Sequence, residues 1–141
     1  YRADEAEAKL IANSIIKAAA NIYMKDNVIP SNWTYIASEI PGLKFCKYQS
    51  ARNRTCGKDK DALLPVTSIN ATINPMNCIV VTNASYELCG RRNSNGLSLV
   101  MKEFEYISDP SPRKSISACL GNNGVMRILK QDTRNAVWIN C

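Results

Sequence analysis

The sequence predicts an α+β domain: a long N-terminal helix packed on an antiparallel sheet of about four to six strands, stapled by disulfides. Three observations carry that expectation. Residues 3–25 contain neither Gly nor Pro and repeat apolar side chains at spacings of three and four. From residue 77 onward, short apolar runs alternate with turn-forming clusters. Six cysteines, Cys46, Cys56, Cys78, Cys89, Cys119 and Cys141, stand in a chain that has no CxxC pair and no histidine.

The helix comes first. Ala8, Ile11, Ala12, Ile15, Ala19, Ile22 and Tyr23 form one apolar stripe on a 3.6-residue period. Asp4, Glu5 and Glu7 crowd its beginning while Lys17 and Lys25 follow later, the order that the helix macrodipole favours. Lys25-Asp26-Asn27 and then Pro30 supply a stop, so the helix is expected over 1–26. At 1.5 Å per residue it makes a rod of roughly 35 Å, about the width of a whole domain of this length.

Residues 27–75 read as a connecting region. Two prolines, the aromatic pair Trp33 and Tyr35, and the turn chemistry of Ser38-Glu39 and Pro41-Gly42 come first, followed by a polar surface loop over 51–62. Residues 76–141 hold the sheet and a cysteine-bounded C-terminal region. Strands are expected at 77–83 and 85–90, joined tightly at Asn83-Ala84, and a further strand within 97–107, where apolar and polar residues alternate. Segments 115–120, 125–130 and 136–140 complete the set. Turns are expected at 91–96 (RRNSNG), 109–114 (DPSPRK) and 121–124 (GNNG). The 141 residues make one domain, with no internal repeat, no low-complexity segment and no run of about 18 apolar residues.

An even cysteine count, loop-rich surroundings and the lack of metal-ligand spacing favour disulfides in an oxidising compartment over a zinc site. Six cysteines allow fifteen pairings, and the sequence does not choose among them; local closure (46 with 56, 78 with 89, 119 with 141) is the simplest arrangement. Without histidine, Ser/His/Asp and Cys/His catalysis is excluded. The carboxylate pairs Asp59/Asp61 and Glu103/Glu105 suit solvated faces, and neither GKDKD nor GNNG matches a phosphate-binding loop. No enzyme, cofactor or metal is expected.

The formal charge is +6, and it is uneven. Residues 1–40 carry four Lys/Arg against five Asp/Glu; the remainder carries fourteen against seven. Lys44, Lys47, Arg52, Arg54, Lys58 and Lys60, with the basic turns Arg91-Arg92 and Arg113-Lys114, could line a polyanion-binding track, although solvated loops on a basic extracellular protein are the favoured reading. Four N-x-S/T sequons, at Asn32, Asn53, Asn70 and Asn83, discriminate poorly in a chain with fifteen asparagines.

The order of parts carries a resemblance. "YRADEAEAKLIANSI" looks like the stretch that follows the hydrophobic half-helix of a bacterial type IV pilin or minor pilin, and "KAAANIYMKDNVIPSNW" like that family's exit toward its αβ loop. With the strands and the region "CLGNNGVMRILKQDTRNAVWINC", the whole chain resembles a pilin-like soluble domain lacking the N-terminal hydrophobic half-helix. The prepilin cleavage motif is not in this sequence, and six cysteines exceed the family's commonest two. The resemblance implies a structural subunit of an extracellular pilus, anchored in the inner membrane before assembly. It implies contacts with itself or other pilin subunits through the helix and the sheet edge, and adhesion to a host receptor or to DNA. Cys119 and Cys141 match the pair that bounds the family's C-terminal loop. Two other readings are a DNA-uptake pilin that uses the basic loops and an unrelated small secreted, disulfide-rich binding domain.

Overall fold

The structure, a computed structural model, describes residues 2–42, 45–47, 72–75, 78–81, 86–94, 96–103, 115–131 and 137–141. The expected α+β class holds. Helix α1 spans Arg2–Asp26 and ends where Asn27 takes a left-handed conformation (φ 55°), its N–H donating to the Tyr23 carbonyl at 2.8 Å. Asn tolerates that conformation because its short side chain suffers little from the clash that bars larger residues, and the bond satisfies one of the helix's terminal carbonyls.

A second helix, α2 (Trp33–Ser38), lies inside the region expected to be irregular. Asn32 nucleates it: its Oδ1 accepts the Thr34 N–H at 2.7 Å, the bond of a side chain at an N-cap. Ser38 and Glu39, expected as a turn, form its last residue and its C-cap.

Six strands follow: β1 (Phe45–Lys47), β2 (Ile79–Val81), β3 (Tyr86–Asn93), β4 (Gly96–Glu103), β5 (Ser115–Gly121) and β6 (Met126–Gln131). They pair antiparallel in chain order, β1-β2-β3-β4-β5-β6. The expected turn at 91–96 is corrected: Arg91, Arg92 and Asn93 belong to β3, and Asn93 pairs with Gly96 of β4. The alternating β3 and β4 side chains continue in register to this point, so ladder pairing extends β3 through residues whose local composition favours a turn. The joint at Asn83-Ala84, the turn at 109–114 and residues 104–107 lie outside the described residues.

The core fills the space between α1, α2 and one sheet face. Ala8, Ala12, Ile15, Ile16, Ala19 and Ile22 of α1 meet Leu88, Leu97, Leu99, Met101, Ile116, Ala118 and Leu120, with Trp33 and Ile36 closing the α2 side. Each large aliphatic residue buried this way contributes about 1.5–3 kcal/mol. Ile16 and Ala18 are buried as well, which widens the expected stripe, because α1 is covered by α2 as well as by β5 and β6. Ile11 and Tyr23 sit at its partly covered margin.

Both faces of the central strands are buried. Residues 96–101 of β4 and all of β5 are shielded from solvent. Ile116, Ala118 and Leu120 point at the helix layer, and the intervening Ser117 and Cys119 lie beneath the C-terminal segment. That segment, residues 137–141, was expected as a strand. It is an irregular strap instead, and its Val137 and Ile139 carbonyls accept from side chains of the sheet.

Candidate interaction surface

Two disulfides follow the local-closure arrangement. Cys78 and Cys89 sit directly opposite each other one step beyond the Ile79–Leu88 pair, with Cα atoms 4.4 Å apart. Cys119 and Cys141 join β5 to the end of the strap, Cα to Cα 5.7 Å. Cys46 lies in β1, and its expected partner Cys56 falls outside the described residues. Glu87 lies beside the first bridge, its Oε1 3.9 Å from the Cys89 sulfur. Cys78, Glu87 and Cys89 could supply three ligand atoms to a cation. With the two sulfurs bonded to each other, neither is a thiolate, and the trio has no metal-binding chemistry in this state.

The strap is the most distinctive part of the surface. Ser117 Oγ donates to the Val137 carbonyl at 2.6 Å, and Ser98 Oγ donates to the Ile139 carbonyl at 2.8 Å. These contacts bury the hydroxyls of two serines that are otherwise strand residues facing away from the core. Arg127 donates to the Asn140 carbonyl at 3.3 Å, and the Arg91 guanidinium stacks 5.5 Å above the Trp138 ring. Ordering five residues costs roughly 5–10 kcal/mol of conformational entropy. The two serine bonds return only about 0.5–1.5 kcal/mol each. Half-buried Trp138 and Ile139 add some apolar contact, and the Cys119–Cys141 bridge contributes about 3 kcal/mol by closing its loop. The tether is therefore the largest single contribution to holding the strap.

The basic residues divide in two. Lys44, Arg52, Arg54, Lys58, Lys60, Arg113 and Lys114 lie outside the described residues, and Lys47 ends β1. Arg91 and Arg92, expected on a basic turn, are strand residues that point to opposite faces and have intramolecular tasks. Arg91 stacks on the strap, and Arg92 Nη2 donates to the Ile29 carbonyl at 3.1 Å, fastening the α1–α2 connection to β3. Neither was legible as a structural clamp from local sequence, since both partners are remote in the chain.

Several large apolar side chains remain in solvent. Met24 is 82% exposed and Leu10 67% on α1, and Val28 and Tyr35 flank the α1–α2 junction. At β6, Met126, Leu129 and the preceding Val125 are also exposed. Between the two, a groove of 280 Å³ runs from Lys17, Asn21 and Met24 of α1 to Leu120 and Met126. No described helix is long and apolar enough to cross a membrane. Comparison with protein-family models, with curated proteins and with solved structures returns no match.

Proposed function

We propose that this chain is a structural, non-catalytic subunit of a type IV pilus or pilus-like filament, working in adhesion, motility or assembly initiation. One observation carries the reading. A long helix buries one alanine- and isoleucine-rich face on an antiparallel sheet while its other side keeps Leu10 and Met24 in solvent, free to meet a neighbouring subunit. The C-terminal region is closed by Cys119–Cys141, as the resemblance implies. A scaffold that carries load outside the cell gains from covalent closure, because a bridge resists local unfolding where no chaperone can act.

In this reading α1 continues upstream into an apolar half-helix that leaves the inner membrane to pack against copies of itself. The helix layer and the sheet edge then make subunit contacts in an extracellular filament. Antibodies raised against the domain and applied to intact source cells test it by immunogold electron microscopy. Labelled cell-surface fibres, lost on deletion of the gene, are the expected outcome. Label confined to the medium, with a conventional signal peptide encoded upstream of the Tyr1 codon, would replace the filament reading with a freely secreted binding domain.

A further inference from the structure

The two described disulfides sit in opposite electrostatic surroundings, and only one of them tethers a separable part. We propose that Cys119–Cys141 is a redox-released latch: a dithiol reductant opens it ahead of Cys78–Cys89, and the strap leaves the sheet while the helix–sheet core stays folded. The inference does not depend on the filament reading.

Access comes first. Cys141 is an exposed residue bonded to the buried Cys119, so attack falls on the Cys141 side, whereas in the other bridge Cys89 is 5% exposed and Cys78 half-buried. The leaving group comes second. Attack at Cys141 expels Cys119 as a thiolate, and Cys119 pairs directly with Arg127 across β5 and β6. The Arg127 guanidinium bonds to the carbonyl of Asn140, the neighbour of Cys141, so a cation stands beside this bridge and favours the departing negative charge. Attack at Cys78 would instead expel Cys89 beside the Glu87 carboxylate, 3.9 Å from its sulfur. A like charge in a buried setting makes that thiolate a poor leaving group. Arg91, two residues along the same face, is engaged with Trp138, and Lys102 stands opposite Glu87 rather than at the sulfur.

The chemistry balances with a dithiol reductant. Its first thiolate attacks Cys141 Sγ, the disulfide breaks, and Cys119 leaves as a thiolate that takes up a proton. The second thiol then displaces Cys141 from the mixed disulfide, giving a free Cys141 thiol and an oxidised reductant, two electrons in all. The bonds that then hold the strap include those from side chains to the carbonyls of Val137, Ile139 and Asn140 and the Arg91–Trp138 contact, and none of these is a ladder bond. Release exposes a polar trough of Ser98, Ser117 and Cys119 with Val100 beside them. Because the serines grip main-chain carbonyls, the trough recognises extended backbone and not a particular side chain.

The test exposes the intact chain to graded dithiothreitol, quenches with iodoacetamide and maps alkylation of each cysteine by mass spectrometry. Backbone hydrogen exchange and far-ultraviolet circular dichroism are followed in parallel. The expected result is labelling of Cys119 and Cys141 at least about tenfold faster than Cys78 and Cys89. Exchange at 137–141 then rises to that of free peptide, with exchange in α1 and the dichroism unchanged. Glu87→Gln is expected to speed opening of Cys78–Cys89 severalfold. Equal or reversed order of opening, or loss of helical signal together with the first bridge, overturns the latch. An unchanged rate in Glu87→Gln overturns the electrostatic basis of the order.

Discussion

Gly96 shows how a single residue can fix the register of a sheet. It begins β4 with φ 142°, and a Cβ there would collide with the Leu120 backbone carbonyl on β5. Gly96→Ala therefore meets both a backbone strain and a main-chain clash. Its stability should fall by more than about 2 kcal/mol in urea unfolding, well above an ordinary surface substitution. Gly90 has a different role: a Cβ at that position would stand 3.0 Å from the Trp33 ring and against Ile73. Gly90→Ala should cost about 1–3 kcal/mol through overpacking, with an altered near-ultraviolet dichroism signal from Trp33. At this scale the sequence was only partly legible. Trp33 was recognisable only as one of an aromatic pair in the connecting region, and it is fully buried. That Gly90 opens the space for it was not, because the two residues are brought together by tertiary packing alone.

Among elements, α2 and the strap depart furthest from expectation, for related reasons. A six-residue helix is too short to show a period, and its signal is a single cap, Asn32, in a stretch that reads as turn chemistry. Asn32→Ala should lower stability by about 1 kcal/mol by chemical denaturation. The strap was read as a strand because Val137, Trp138 and Ile139 form an apolar run, yet it bonds to hydroxyls. The strand pattern of β5 was legible, and alternation there normally marks a face in water. Here Ser115 and Ser117 alternate with apolar residues on a face that is also buried, so polarity marked hydrogen-bonding need and not exposure. The double variant Ser98→Ala/Ser117→Ala should accelerate amide exchange within 137–141 about tenfold or more, with exchange in β2 and β3 unaffected. α1 is the opposite case: it was readable almost residue by residue, since a long amphipathic helix repeats its own evidence.

For the whole molecule, the helix layer and the sheet share one apolar core, so they should unfold together. Ile16→Ala, at a fully buried site, is expected to cost about 2–5 kcal/mol. It should shift the helical dichroism and the Trp33 fluorescence by the same denaturant increment; separate midpoints would show that α1 and the sheet are independent units. The division of charge was legible, whereas the surface it makes is described only in part, since most of the basic track lies outside the described residues. The meander has one more consequence. The strands pair in chain order, so each hairpin can close on itself, but α1 rests on β5 and β6. β5 begins about ninety residues after α1 ends. At ribosomal speeds of roughly 5–20 residues per second, the helix waits about 5–20 s between its own synthesis and that of the strands that cover it. During that interval its stripe of alanine and isoleucine has no sheet to rest on, and whatever shelters it then, a lipid surface or a holding chaperone, determines how much of the chain reaches the folded state.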